Sequence, residues 1–250
     1  MTGWKIFYHS VFLLNHNLQK AVQLSSPLIA MIILTTVVEN PEVFGGYVVK
    51  EDFQTLQRSL LFLLNGGAGL WVAVSWHRYV LLEEEGGLLP AFHGARVLSY
   101  LGTLLIVLLV IVIAGSFVGF FATALGFLGA GLTGLTSTAY FKLLPLVGPV
   151  LVFWFFYRLA PLLPAAALEK QMTFGDAWRA TSHISWSVLI AGALLWFSSL
   201  TLAFIFEIIS MQVGAFIGLP SLGALQWAST MAGISILTTI YGITMEDRRL

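Results

Sequence analysis

The chain has 250 residues, of which 58% are hydrophobic and 10% charged, with 12 basic and 12 acidic side chains in balance and a mean hydropathy of +0.90. Soluble domains carry roughly 25% charged residues, and a soluble fold of this length could not hide so much apolar surface. The lack of a basic excess argues against nucleic acid as a partner, and the lack of cysteine excludes disulfides and thiolate metal sites. We therefore expect an all-α, polytopic membrane protein forming a single integral membrane domain over residues 1–250.

The first segment, residues 3–22, is apolar but interrupted by basic and histidine residues. This pattern is typical of an amphipathic helix lying in the membrane interface, with Trp4 and Tyr8 at the level of the lipid headgroups. A second interpretation stays open, in which these residues are the first turns of a long first span.

Membrane-spanning helices need about 20 mostly apolar residues, and six later stretches approach or meet that length. They cover residues 24–40, 57–80, 97–120, 141–163, 187–210 and 225–245. The fourth stretch carries several prolines, and each proline removes a backbone hydrogen bond, so we expect this span to be kinked.

The basic residues indicate the orientation of these spans. With the amino terminus placed inside, nine of the twelve Lys and Arg residues fall on the inner side and three on the outer side. Cytoplasmic connectors are enriched in Lys and Arg, so we expect both termini in the cytoplasm and short amphipathic helices on that face. The outer connectors 120–140 and 213–224 are Gly-rich and uncharged, and non-helical backbone at membrane depth requires cover by protein or a water-filled cavity.

One inner segment carries a family resemblance. It reads Arg158-Leu-Ala-Pro-Leu-Leu-Pro-Ala-Ala-Ala-Leu-Glu169, and then Phe174-Gly-Asp-Ala-Trp-Arg179 before an apolar stretch. This resembles the YciC-like bacterial membrane proteins and the membrane domain joined to some glycerophosphodiester phosphodiesterases, most closely over residues 157–190. The resemblance implies a six-span architecture in a bacterial inner membrane. It implies no catalytic activity, because the motif is not a catalytic one.

Glu207 is the acidic residue placed deepest in an apolar stretch. Carboxylates inside a membrane are costly and often functional, as proton relays or as ligands for cations. Counted from residue 187 at 1.5 Å per residue, however, Glu207 lies about 30 Å along the fifth span. That distance reaches the opposite interface, where a carboxylate contacts water. We favour this interfacial position over a functional acid within the membrane.

The predicted inner face holds the remaining polar candidates, which we interpret as contacts to lipid headgroups or to a partner. They are Arg78, Arg96, Arg158, Arg179, His77 and His93. All five histidines fall on this side, but no spacing among them is typical of a metal site, and we expect no metal and no cofactor. The acidic triplet at 83–85 is best explained as a solvated cluster.

The sequence contains no Walker loop and no nucleophile elbow. We therefore expect a non-enzymatic scaffold, assembly factor or accessory subunit, in contact with membrane lipids and other integral membrane subunits. The alternative is a small transporter or lipid-handling protein that uses Glu207 and the kinked fourth span.

Overall fold

A computed structural model describes residues 2–46, 51–85, 87, 89–133 and 152–248. All regular structure in these residues is helical. In chain order the helices are α1 (Gly3–His16), α2 (Leu18–Leu24), α3 (Ser26–Glu39), α4 (Pro41–Phe44), α5 (Glu51–Leu82), α6 (Gly94–Thr133), α7 (152–158), α8 (Leu162–Ala167), α9 (Phe174–Ala180), a 3₁₀ turn (Ser182–Ile184), α10 (Ser185–Val213) and α11 (Ala215–Met245).

Four helical segments are long and apolar enough to cross a membrane: Phe53–Leu82, Gly94–Phe121, Ser182–Gln212 and Ala215–Met245. The count rises to five if α2 and α3, which meet at a bend of 65°, cross as one span. The prediction of an all-helical fold with several apolar helices is thus confirmed for the described residues. Residues 141–151 of the predicted span 141–163 lie outside them, and the count of six stays a prediction.

The predicted span at 24–40 is shorter than expected, because the chain bends just before it. Pro27 lies in the first turn of α3, and its ring leaves no N–H to continue the ladder of α2. The 14 residues of α3 extend only about 21 Å. The Trp227 indole N–H fixes the bend by donating to the Ser25 hydroxyl at 2.6 Å.

The core forms where α1 packs against both α10 and α11. Ile6 of α1 and Ile236 of α11 have no exposed surface, and both belong to one cluster of buried residues that also includes Trp76 of α5. Segment 3–22 is divided at Asn17 into α1 and α2, and one face of α1 is buried. Trp4 and Tyr8 on its other face remain exposed, and their placement at headgroup level stays a prediction.

The span of α6 lies at the edge of the bundle. Only 12% of its most apolar window is buried, compared with 61% for α11. Its exposed side chains are large and aliphatic, as Leu105 and Ile113 illustrate. This surface is suited to lipid or to another membrane helix.

Candidate functional site

Most polar candidates from the sequence meet at one end of the bundle. There the end of α5, the start of α6, the short helices α8 and α9, and the end of α11 come together. We call this region the polar layer. Its ion pairs are Arg78–Glu84 (2.6 Å), His93–Glu84 (2.7 Å), Arg96–Glu169 (2.6 Å), Lys170–Glu246 (3.9 Å), Arg248–Glu246 (2.7 Å) and Arg179–Asp176 (2.7 Å).

Glu84 brings two predicted residues together. One carboxylate oxygen accepts from Arg78 Nε at 2.7 Å, and the other contacts His93 Nε2 at 2.7 Å. Partial burial alone would raise the pKa of Glu84, but the hydrogen bonds and charges of Arg78 and His93 outweigh it and lower that pKa. The middle residue of the acidic triplet is therefore a specific partner for a base, whereas Glu83 and Glu85 are exposed.

Three arginines of the polar layer donate to carbonyls at helix ends. Arg78 donates to Ala167 O of α8 at 3.1 Å. Arg158 donates to Trp178 O of α9 at 2.8 Å, and Arg248 donates to Val80 O of α5 at 3.1 Å. The last carbonyls of a helix lack partners within the helix and carry partial negative charge, so a guanidinium there stabilises the end. These cations therefore connect helices to one another.

Arg158 has the most enclosed of these positions, with only 3% of its surface exposed. Its guanidinium lies 4.1 Å from the centroid of the Trp178 ring, and a second donor reaches Thr181 O at 2.9 Å. Its Nε has no hydrogen-bond partner among the described residues. The predicted headgroup contact therefore has almost no surface through which to form, and Trp178 and Thr181 hold this cation inside the protein.

Arg96 and Arg179 keep more exposure than Arg158. Arg179 pairs with Asp176 one turn away on α9, where Thr173 and Asp176 form a capping box at the start of the helix. The hydrogen bond from the Thr173 hydroxyl, followed by the one from Arg179, lowers the pKa of Asp176 to about 2. Of the predicted cations, Arg179 has the side chain that is freest to meet headgroups, being 78% exposed.

His77 lies in the interior and has no exposed surface. Its Nδ1 is 2.8 Å from Thr238 Oγ1, and its Nε2 is 3.2 Å from the Tyr100 hydroxyl. Thr238 donates its own hydrogen to Ile234 O at 3.0 Å, so its oxygen accepts from His77. This assigns the hydrogen of the neutral imidazole to Nδ1 and makes Nε2 the acceptor for Tyr100. A headgroup contact would require exposed atoms that His77 lacks.

Among the described residues, His16 and His183 form none of the ion pairs of the polar layer. His16 stacks on Phe12 with ring centroids 5.5 Å apart, at the end of a row of rings along α1 that includes Tyr8. His183 is exposed in the 3₁₀ turn. Within the part of the chain that the structure describes, no group of three His, Asp or Glu side chains is placed to hold a metal.

Glu207 lies far from the polar layer. It is exposed on α10, six residues before that helix ends at Val213. Both the placement of its carboxylate near the opposite interface and its functional role stay predictions.

Several partners in this region had no signal in the sequence. Thr238 and Tyr100 lie in the apolar helices α11 and α6, and Thr181 follows α9. Only the packing of the helices reveals what these residues contact. Comparisons with protein-family models, with curated proteins and with solved structures found no match for this chain.

Proposed function

We propose that this chain is a non-enzymatic integral membrane protein that serves as an accessory subunit or scaffold of a membrane complex. The supporting observation is a set of glycines on open faces of two spans. Among the described residues, no atom beyond their own stretch of helix lies within 4 Å of the position that a Cβ would take at Gly66, Gly67 and Gly69 of α5 or at Gly115 and Gly119 of α6. Small residues let transmembrane helices approach closely, so these faces suit helices of another subunit.

The glycines used inside the bundle differ from this open set. A Cβ built at Gly3 would lie 2.4 Å from Ser187 O, and one at Gly218 would lie 2.3 Å from Ser210 Cβ. Close packing inside the protein is therefore achieved at those positions, and packing within the described residues does not account for the glycines of α5 and α6.

The polar layer supports a structural role. Its arginines donate to helix ends, its carboxylates pair with bases, and His77 is fixed between two hydroxyls. We place this layer on the cytoplasmic side of a bacterial inner membrane, as the distribution of basic residues and the YciC-like resemblance suggest. Arg96 and Arg179, the least enclosed of the four arginines predicted from the sequence, then face lipid headgroups or the partner.

The test is purification of the chain from its native membrane in mild detergent, followed by measurement of the stoichiometry of the complex. We expect a stoichiometric partner that is lost when Gly66→Leu and Gly115→Leu add bulk to the open faces. Ala30→Leu on the exposed side of α3 is the matched control and should keep the partner. A wild-type chain that purifies alone would contradict the proposal, and so would equal loss in the control.

The alternative of a transporter that uses Glu207 has less support. Glu207 is exposed on α10 and is not among the lining residues of the cavities described below. Of the prolines that predict a kink in the fourth span, Pro145 and Pro149 lie outside the described residues.

A further inference from the structure

The end of the bundle opposite the polar layer contains an apolar groove between α3 and α11. Its volume is about 390 Å³, within the range of small-molecule sites. The lining is mostly aliphatic and aromatic, and it includes Ile32, Thr36, Phe44, Gly223, Ala224 and Trp227. The groove is therefore shaped for an apolar chain.

Two contacts define the walls of this groove. A Cβ at Gly223 would lie 2.9 Å from Ile32 Cγ2, so α11 approaches α3 closely along the groove floor. Phe44 of α4 packs on Phe216 of α11 with ring centroids 5.9 Å apart, which closes one end. Helix α4 ends at Gly45, whose φ of +70° favours glycine.

A polar cavity of about 200 Å³ adjoins the groove and shares Ile32, Thr36 and Gly223 with it. Asn65 of α5 lines this cavity. Its Nδ2 donates to Thr35 Oγ1 at 2.6 Å, while its Oδ1 is buried and has no hydrogen-bond partner in the described part of the chain. A buried polar atom without a partner destabilises the folded protein, so a ligand or water that reaches Asn65 is favoured.

A third cavity of about 180 Å³ continues from the second through the shared residue Glu39. Glu39 and Glu42 line one side, and Arg58 and Gln57 line another. In the described residues none of these three charged side chains forms an ion pair, and Gln57 Oε1 is buried without a partner. Charges of both signs thus stand unpaired around one small space.

From the groove and the two cavities that continue from it, we infer a binding site for a zwitterionic phospholipid whose headgroup carries a primary ammonium. One acyl chain lies in the groove, the phosphate faces Arg58, and the ammonium faces Glu39 and Glu42. An ammonium offers three N–H donors, which also suits the free acceptor of Gln57. A quaternary ammonium has no such donor, and an anionic headgroup would be repelled by the two carboxylates.

Other occupants fit the groove and its two cavities less well. An apolar helix of a partner or of a second copy would fill the groove but would leave Asn65 Oδ1 and Gln57 Oε1 unpaired. The lipid site is distinct from the open glycine faces of α5 and α6, so it goes beyond the proposed subunit role.

The experiment is native mass spectrometry of the purified chain in mild detergent. An equimolar mixture of palmitoyl-oleoyl phosphatidylethanolamine, phosphatidylcholine and phosphatidylglycerol is added. We expect the ethanolamine lipid to exceed each of the others in occupancy by about tenfold. Ala224→Trp places a ring in the groove and should lower that occupancy by about tenfold or more. Ala30→Trp, on α3 but outside the groove lining, should leave it unchanged.

A second variant guards against misfolding of the first. The double substitution Glu39→Gln and Glu42→Gln leaves the groove intact, and it should remove the preference for ethanolamine over choline while lipid binding persists. Equal occupancy by ethanolamine and choline lipids in the wild-type chain would overturn the inference. Absence of any bound lipid, or equal loss in Ala30→Trp, would overturn it too. None of these results depends on whether a protein partner is found.

Discussion

Arg158 and Thr181 each direct a side-chain hydrogen-bond donor at the backbone carbonyl of the other. Arg158 donates from its guanidinium to Thr181 O at 2.9 Å, and the Thr181 hydroxyl shares its one hydrogen between Arg158 O at 2.9 Å and Ala177 O at 2.8 Å. The first bond places a cation at the end of α9, and the second engages a carbonyl at the end of α7. Two helix ends are stabilised by one pair of residues, and the Trp178 ring covers the guanidinium.

Loss of this contact should destabilise the protein measurably. Arg158→Lys keeps the charge, but its single ammonium lacks the planar fork that reaches both Trp178 O and Thr181 O. We expect a loss of about 1.5–3 kcal/mol in the free energy of unfolding, the range for hydrogen bonds to charged groups. Denaturation monitored by circular dichroism in detergent measures it.

The partner residue provides the control for that experiment. Thr181→Val removes the hydroxyl and should weaken the same contact, whereas Thr181→Ser retains it and should remain close to wild type. A Thr181→Ser variant as unstable as Thr181→Val would show that the methyl group, and not the hydrogen bond, is what matters.

The environment of His77 predicts its tautomer. Because Thr238 gives its hydrogen to Ile234 O, His77 carries its hydrogen on Nδ1. Thr238→Val should leave that N–H buried without an acceptor and cost about 1–3 kcal/mol of unfolding free energy. Nitrogen-15 NMR of histidine-labelled protein reports the tautomer directly. An Nε2-protonated ring, or a Thr238→Val variant with wild-type stability, would refute the assignment.

Glu84 predicts a dependence of stability on acid. Its pKa is lowered in the folded protein by Arg78 and His93, while the unfolded value is about 4.3. A group whose folded pKa is lowered contributes stability above the unfolded pKa, and that contribution is lost as the pH falls through the folded pKa. We expect the midpoint temperature of thermal unfolding to decrease when the pH is lowered beyond about 4.3.

The variant Glu84→Gln isolates this contribution. It should lower the thermal midpoint at pH 7 and make the acid-induced fall shallower. The free-energy loss should be about 1 kcal/mol or less, since the pair is partly screened by solvent. Glu85→Gln, which removes a neighbouring exposed carboxylate, should keep the wild-type pH profile. Identical profiles for the two variants would contradict the role of Glu84.

Composition and periodicity were sufficient to predict the apolar helices, because hydropathy over 20 residues depends on local sequence alone. The bend before α3 could have been predicted in the same way. Pro27 has no N–H to donate, so it interrupts the hydrogen bonds of a helix that would continue through it. The polar layer was only half predictable. Positive residues at Arg78 and Arg158 marked one face, but their acceptors, Ala167 O and Thr181 O, depend on how helices fold back.

Glycines illustrate the limit of local patterns most clearly. Gly66 and Gly69 recur within one span, yet among the described residues no atom of another helix lies within 4 Å of the position that a Cβ would take there. Gly3, outside any repeated spacing, lies where α1 meets α10. Close approach is a property of two surfaces, and a single sequence shows only one of them.

This contrast between glycines is itself testable. Gly3→Ala would put a methyl group 2.4 Å from Ser187 O and 2.5 Å from Ile190 Cβ, so α1 must shift away from α10. We expect a loss of about 1–3 kcal/mol in unfolding free energy, as for other overpacked cores. Gly66→Ala should instead gain roughly 0.5–1 kcal/mol, because alanine is the better helix former.

Thermal denaturation of both variants in the same detergent compares them. Reversal of the order, with Gly3→Ala the more stable, would show that α1 does not pack on α10 as described. Equal stability of the two would lead to the same conclusion.

The end of α5 offers a stabilising substitution. Glu83 follows the helix with φ +55°, a left-handed conformation that costs an L-residue about 1–2 kcal/mol and that glycine adopts freely. Its side chain is exposed, and the turn it makes lets Glu84 N donate to Arg78 O at 3.4 Å. Glu83→Gly should therefore raise the free energy of unfolding by about 0.5–1 kcal/mol, after subtraction of the entropy that glycine adds to the unfolded chain. Glu85→Gly, two residues on and without a positive φ, adds the same entropy without relieving strain and should lower stability. A thermal midpoint that falls equally in both variants would show that the left-handed turn at Glu83 is not strained in the folded protein.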